Sequence, residues 1–198
     1  DLQRFSASHE PDKKEAVILM PTRLVEEKGV SYFVEASKIV RENGYKAKFI
    51  LAGGLDNYNP SAYSLEEIES LVKDTPVIWR GKIIDMPRMY RRSNIIVYPS
   101  YYKEGIPKVL LEAAASGRAI ITTDHPGCRE AVEHGVNGLL VPVKDAESLA
   151  QAVQRLLDDD DLRHDMGQNS RRMAEQKFDV ELINDQTLQV YINMLEDR

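Results

Sequence analysis

The stretch that decides the fold runs from Ile95 to Thr122 and is IIVYPSYYKEGIPKVLLEAAASGRAIIT. It begins and ends with apolar runs, 95–98 and 119–122, in which polar residues do not alternate with apolar ones. Such runs are typical of strands buried on both faces of a parallel sheet. Between them, residues 108–115 are mostly small or apolar at helical spacing, with the charged residues Lys108 and Glu112 four positions apart. The stretch therefore predicts a strand, a loop, a helix and a second, parallel strand.

The same alternation continues on both sides of this stretch, and it predicts an α/β fold. Six apolar strands separated by helices form a doubly wound, parallel, Rossmann-like sheet. After Pro142 the pattern changes to helices alone, and Asp145 is the predicted cap of the first of them. The other predicted strands are Ala16–Met20, Ala47–Leu51, Val77–Trp79 and Leu139–Val141, and the other predicted helices are Ser31–Arg41, Ser64–Lys73, 146–157, Asp161–Lys177 and one from Asp179 to the end.

Length and composition exclude several classes of protein. The 198 residues suit one domain of ordinary size. With 42% hydrophobic and 29% charged residues, the chain is neither disordered nor collagen-like, and it has no long apolar run of the transmembrane kind. A net charge of −6 argues against nucleic acid as a partner. The single cysteine, Cys128, cannot build a disulfide framework, so we expect a reducing compartment.

The loop after the strand at 95–98 is the first candidate site, because ligands of open α/β sheets bind beyond the carboxyl ends of the strands. Gly105 permits tight backbone geometry there, and Pro107 is expected at the first position of the next helix. Backbone amides at such a helix start favour a phosphate or a polar sugar. The carboxylates of Glu104 and Glu112 suit paired hydroxyl groups. An alternative for Glu112 is a surface pair with Lys108, four residues earlier.

The loop after the first strand is the second candidate site. Arg23 and Lys28 lie there, just before a helix that opens near Gly29. Two cations beside a helix N-terminus are unfavourable unless an anion joins them, and a diphosphate is such an anion. The alternative is that both are solvated or pair with Glu26 and Glu27.

Other patterns give weaker signals. The segment AGGLDN, 52–57, has neither the G-x-G-x-x-G nor the Walker A spacing, which argues against hydride transfer and P-loop chemistry. The four histidines have no metal-ligand spacing, so no metal site is predicted. The acidic run Asp158–Asp161 is expected to cap a helix.

Several segments together resemble a known family: RLVEEKGV, KFILAGG, IWRGKI, YPSYYKEGIPKVLLEAAASGRAIITTDHPGCREAV and GVNGLLVPVKD. The chain resembles the C-terminal, donor-binding half of retaining GT-B glycosyltransferases of group 1 (family 4). Its sequence is most similar to those of bacterial members that build lipid-linked cell-surface glycans. Two segments depart from the family pattern, Pro21-Thr22 where many relatives have a small residue and glycine, and AGGLDN where G-[DEN]-G is usual.

The resemblance implies a role for each matching residue. Arg23 and Lys28 match the pair that holds the donor's diphosphate and stabilises the departing nucleotide. Glu104 and Glu112 match the E-x(7)-E signature, in which the first contacts sugar hydroxyls at the reacting face and the second contacts the ribose. The implied catalytic residues are thus Arg23, Lys28 and Glu104. The implied donor-binding residues are Gly81, Lys82 and Ile83 at the nucleobase edge, Gly105, Ile106 and Pro107 at the sugar and phosphate, and Glu112.

The resemblance also implies an activity and a division of the chain. The activity is transfer of a sugar from a nucleotide sugar to a glycan or lipid-linked acceptor, with retention of configuration and without metal or cofactor. UDP is favoured, GDP and ADP remain open, and so do the sugar and the acceptor. Residues 1–15 would lead in from a missing N-terminal domain, 16–178 would bind the donor, and the helix at 179–198 would cross back to the missing half.

Three expectations complete this interpretation. The fragment alone is expected to be inactive, because the acceptor and any membrane contact would belong to the missing half. The full-length enzyme is expected in the cytoplasm, at the inner face of the membrane for a lipid-linked acceptor. The alternatives are a noncatalytic nucleotide-binding module and a GT-B-type UDP-sugar 2-epimerase.

Overall fold

Six parallel strands form one sheet in the computed structural model, which describes residues 1–7, 11, 15–56 and 58–196. Their order is β3-β2-β1-β4-β5-β6, so the sheet is doubly wound and the strand order reverses between β1 and β4. The predicted fold class is confirmed. The strands are β1 (Ala16–Pro21), β2 (Ala47–Ala52), β3 (Val77–Trp79), β4 (Ile95–Tyr98), β5 (Ala119–Thr123) and β6 (Gly138–Val141).

Helices connect these strands and follow the last one. They are α1 (Val30–Glu42), α2 (Leu65–Val72), α3 (Met86–Arg91), α4 (Lys108–Ala115), α5 (Ala146–Asp158), α6 (Asp160–Lys177) and α7 (Val180–Glu196). A single 3-10 turn, Glu26–Lys28, precedes α1. The sequence prediction missed α3, although Asp85 caps it by accepting the amide of Arg88 at 3.1 Å. Six residues are too few to show a helical period, but Asp85 followed by Pro87 was an available start signal.

The helix starts follow the local chemistry of their capping residues. Asp145 accepts the amide of Ser148 at 2.9 Å, and Asp159 accepts that of Leu162 at 2.9 Å, so the predicted roles of both in capping are confirmed. Pro107 lies one position earlier than expected. It is the N-cap of α4 rather than its first helical residue, because its ψ of 126° is extended.

The core consists of two apolar layers, one on each face of the sheet. Ile18 and Met20 of β1 belong to one layer, together with Phe33 of α1. Leu19, the residue between them, belongs to the other layer, together with Tyr90 of α3. Alternate residues of a fully buried strand therefore supply both layers, which explains the unbroken apolar runs.

The predicted lead-in packs against the sheet layer in its described part. Phe5 is 6% exposed and its ring meets that of Tyr90 edge to face at 5.8 Å. The guanidinium of Arg171 donates to the carbonyls of Leu2, Phe5 and Ala115 at 3.3, 3.1 and 2.6 Å. Residues 8–10 and 12–14 of the lead-in lie outside the described residues.

The final helix, α7, presents large apolar side chains to solvent. Ile183, Leu188 and Leu195 are 44%, 59% and 69% exposed. Residues 197–198 lie outside the described part of the chain. The crossing of this helix to another half stays a prediction.

Candidate functional site

The loop between β1 and α1 is fixed against the end of β4 by a glycine. Gly29 is the N-cap of α1, with a φ of +77°. A Cβ placed on it would lie 2.3 Å from the carbonyl oxygen of Pro99, the residue after β4. No other residue fits this approach, since the space and the φ both require glycine. Lys28, the preceding residue, is thereby held where β1 and β4 end.

Lys28 forms a buried ion pair with Glu104. Its side chain is 3% exposed, and its Nζ also lies 4.5 Å from the ring centroid of Tyr102 and 5.4 Å from that of Tyr98. The hydroxyl of Tyr98 donates to Oε1 of Glu104 at 3.0 Å. Burial and the charge of Glu104 raise the pKa of Tyr98, so this hydroxyl stays protonated. The structure therefore joins two predicted catalytic residues.

Arg23 lies on the open side of the same edge. Its side chain is 58% exposed, and its Nη1 is 3.1 Å from Oδ2 of Asp56 in the loop after β2. Glu27 instead accepts the hydroxyl of Ser61 at 2.7 Å, which is the main cause of its lowered pKa. Pairing with neighbouring glutamates was thus the wrong alternative for Arg23 and Lys28, because residues distant in sequence supply their carboxylates.

Glu112 lies on α4 with its side chain 17% exposed. Its Oε2 accepts the hydroxyl of Tyr90 at 3.1 Å. Its Oε1 is 3.7 Å from Nζ of Lys108, so the alternative i,i+4 pair is present as well. Lys108 is 83% exposed, and solvent-exposed pairs contribute little to stability. The buried partner of Glu112 is therefore Tyr90.

A cavity of about 250 Å³ brings four of the predicted site residues together. Arg23, Lys82, Ile83 and Glu112 line it, from three different segments of the chain. The residues that sequence reasoning missed in its lining include Thr22, Gly53, Gly54, Met86, Tyr90 and Val109.

Gly81 shapes this cavity without lining it. With a φ of +62°, it turns the chain after β3, and its carbonyl accepts the amide of Gly53 at 2.9 Å. Gly53 also accepts the indole N–H of Trp79 at 2.8 Å. A Cβ on Gly53 would lie 1.8 Å from the carbonyl oxygen of Thr22. Gly53 therefore allows the loop after β2 to approach the residue that follows β1 closely.

The loop that contains Glu104 is braced from below by Gly127. This glycine has a φ of +88°, and a Cβ on it would lie 2.6 Å from the carbonyl oxygen of Glu104 and 2.5 Å from that of Gly105. Ile106 is 41% exposed and Pro107 is buried. Gly105, Ile106 and Pro107 do not line the 250 Å³ cavity. They directly follow Glu104, which pairs with Lys28, and α4 connects them to Glu112 in the cavity.

The residues missed by sequence reasoning hold the predicted ones. Tyr90, Tyr98 and Tyr102 contact charged site residues through a hydroxyl or a ring face. Tyr98 and Tyr102 stand beside the E-x(7)-E signature, which was an available signal. Tyr90 had none, because α3 was not predicted.

Within 1–7, 11, 15–56 and 58–196, no group of three or more His, Cys, Asp and Glu side chains is placed to hold a metal ion. No helix in these ranges combines the length and the apolar character needed to cross a bilayer.

Comparisons with known proteins match most of the chain. A sequence model described as glycosyl transferases group 1 matches residues 1–173. The N,N'-diacetylbacillosaminyl-diphospho-undecaprenol alpha-1,3-N-acetylgalactosaminyltransferase of Campylobacter jejuni is 35% identical over 184 residues, which cover 93% of this chain and 46% of that enzyme. The UDP-Gal:alpha-D-GlcNAc-diphosphoundecaprenol alpha-1,3-galactosyltransferase of Escherichia coli is 28% identical over 211 residues, covering 100% of this chain and 53% of that enzyme.

A solved structure matches over nearly its whole length. The C-terminal domain of a glycosyl transferase group 1 family protein, LpcC from Francisella tularensis, superposes with a TM-score of 0.78 and 28% identity. The match covers 91% of this chain and 98% of that one. The chain thus spans about half the length of the two enzymes above and nearly all of this single domain.

Proposed function

The chain belongs to the group 1 family of glycosyl transferases, and we propose that it is the half of such an enzyme that binds the nucleotide-sugar donor. The observation that carries this proposal is the cavity at the carboxyl ends of the strands, where Arg23 and Glu112 face a common space. One cation for a phosphate and one carboxylate for ribose hydroxyls are the two groups that a nucleotide diphosphate needs there.

The nucleotide is proposed to enter this cavity with its ribose at Glu112. The base then lies along the turn after β3, where Gly81, Lys82 and Ile83 offer backbone groups to its edge. Met86 and Val109 supply apolar surface to the same cavity. Uridine is the preferred base, in agreement with the UDP-Gal donor that names the E. coli relative.

The diphosphate is proposed to bind between Arg23 and Lys28. Transfer of the sugar leaves negative charge on the departing diphosphate, and fixed cations in a partly dry site stabilise that charge. The backbone amides of Gly105 and Ile106, just before Pro107 and α4, add donors to the sugar and the phosphate. These groups supply the stabilisation without a metal ion, so we expect chelators to leave donor binding unchanged.

Glu104 is proposed to position the donor sugar rather than attack it. Its Oε1 already accepts from Tyr98 and pairs with Lys28, so this oxygen is poorly suited to form a covalent bond. The acceptor would enter on the face from which the diphosphate leaves, and the configuration at the anomeric carbon would be retained.

The acceptor is proposed to be a lipid-linked glycan bound by a second half of the enzyme. Both relatives named above have a diphosphoundecaprenol-linked sugar in their names. We place the full-length enzyme on the cytoplasmic side of the membrane that contains such a lipid. The exposed apolar side chains of α7 would contact the second half.

Calorimetric titration of this chain with UDP, GDP and ADP tests the proposal. We expect saturable binding of UDP in preference to the others, weakened by Glu112→Ala. An affinity for UDP that Glu112→Ala leaves unchanged would contradict the proposed binding site. Binding of nucleotide without transfer in a full-length enzyme would instead favour the noncatalytic module.

A further inference from the structure

Tyr90 lies in the wall of the cavity with its side chain buried, and its hydroxyl contacts the carboxylate of Glu112. We propose that Tyr90 is a positioning residue that orients the carboxylate of Glu112 toward the ribose of the bound nucleotide. This inference rests on the proposed function, because it assigns a partner to the group that binds the ribose. Tyr90 touches no substrate in this proposal and acts through Glu112 alone.

The tyrosine hydroxyl meets α4 at two points. It lies 3.1 Å from Oε2 of Glu112 and 3.3 Å from the carbonyl oxygen of Val109. A hydroxyl donates one proton, and a bond to a charged carboxylate is shorter and stronger than one to a neutral carbonyl. Oε2 of Glu112 is therefore the preferred acceptor, and its position on α4 is set by Tyr90.

Tyr90 is itself fixed at three places. Its side chain is completely buried, and its ring meets Phe5 edge to face. Its backbone carbonyl accepts Nε of Arg118 at 3.0 Å, and Arg118 is only 1% exposed. A hydroxyl held in this way cannot follow a moving carboxylate, so the carboxylate has to adapt to the hydroxyl.

The charge state of the pair supports this direction of donation. Burial raises the pKa of Tyr90 well above its ordinary value, and the negative charge of Glu112 raises it further. Tyr90 thus remains protonated and donates. An ionised carboxylate has about four acceptor positions, so one bond to Tyr90 leaves enough for two ribose hydroxyls. Lys108, with its exposed side chain, cannot provide comparable orientation.

Selectivity for the ribose hydroxyls tests the role directly. The probes are UDP and 2′,3′-dideoxyuridine diphosphate, titrated into wild type, Tyr90→Phe and Glu112→Gln. Tyr45→Phe is the matched control, because it also removes a hydroxyl that donates to a carboxylate, at 2.7 Å from Asp158. A loss of packing alone would weaken both probes equally, whereas a loss of orientation weakens only the one with hydroxyls.

We expect wild type to prefer UDP to the dideoxy probe. Tyr90→Phe should weaken the binding of UDP by about 3- to 10-fold, the range of one hydrogen bond. It should change the affinity for the dideoxy probe by less than about twofold. Tyr45→Phe should match wild type with both probes. Equal weakening of both probes in Tyr90→Phe, or an unchanged preference for UDP, would overturn the positioning role.

Failure of the proposed function would look different. Wild type would then bind neither probe, or Glu112→Gln would leave the preference for UDP intact. Should Tyr90→Phe not fold, 3-fluorotyrosine at position 90 keeps the hydroxyl. Its fluorine resonance should shift more with UDP than with the dideoxy probe, and equal shifts would contradict the inference.

Discussion

At the scale of single residues, the central feature is that Lys28 is neutralised before any donor arrives. Glu104 and two tyrosine rings surround its ammonium group, which is almost fully buried. We expect a diphosphate that binds Lys28 to compete with Glu104, which would free Glu104 for the donor sugar. One contact thus links the two proposed catalytic roles.

Glu104→Gln should expose the cost of leaving Lys28 without its carboxylate. Removing one member of a buried pair leaves an uncompensated charge, although the 29% exposure of Glu104 reduces the effect. We expect a loss of about 1–3 kcal/mol in the free energy of unfolding, measured with urea.

Asp56→Asn is the matched control, since its partner Arg23 is 58% exposed. Its loss should stay below about 1 kcal/mol. Pyrophosphate should raise the melting temperature of Glu104→Gln by more than that of wild type. An equal rise would mean that Glu104 does not compete for Lys28.

At the scale of elements, sequence patterns predicted the strands and most helices, which show local periodicity. They missed the contacts between residues that are distant in sequence. The strands were found because both of their faces are buried, so each is a short apolar run. The spacing of Glu104 and Glu112 alone did not predict the tyrosine that each of them contacts, Tyr98 and Tyr90. Gly127 gave no signal, because its need for glycine arises from the carbonyls of Glu104 and Gly105 on another loop.

Gly127→Ala should test how strongly the close packing of Gly127 supports the loop that contains Glu104 and Gly105. Its φ of +88° already disfavours alanine, and the new Cβ would overlap two carbonyl oxygens. Gly135→Ala is the matched control, because its φ is +80° but nothing lies within 4 Å of its Cβ.

The control should lose about 1–2 kcal/mol in the free energy of unfolding, the cost of the backbone conformation alone. Gly127→Ala should lose a further 1–3 kcal/mol or so, the usual cost of overpacking, and should weaken UDP binding. Equal losses in urea unfolding would show that the loop yields freely.

At the scale of the whole molecule, the start of the chain and the late helix α6 are joined by hydrogen bonds. Arg171 of α6 binds the carbonyls of the first turn and of the end of α4. Phe5 fills the space beneath Tyr90. The described part of the predicted lead-in therefore belongs to the same core cluster as Tyr90, which lines the proposed donor site.

Phe5→Ala should measure that contribution. Phenylalanine to alanine in a core costs about 3–5 kcal/mol, and a position at the border of the core should lose about 2–4 kcal/mol. Phe5→Leu keeps most of the volume and should lose less than about 1.5 kcal/mol. A negligible loss for both in urea unfolding would return residues 1–5 to the status of a lead-in.

The strand order has a consequence for the formation of the proposed donor site. β1 lies in the middle of the sheet and pairs with β2 on one side and with β4 on the other. Arg23 and Lys28 follow β1, whereas Glu104 and Glu112 follow β4. These two cations are therefore synthesised before these two carboxylates. During synthesis Lys28 would be present before its partner Glu104, and this pair would form only when β4 adds to β1. The proposed site thus combines an early and a late portion of the polypeptide, and it is complete only when these two portions have packed together.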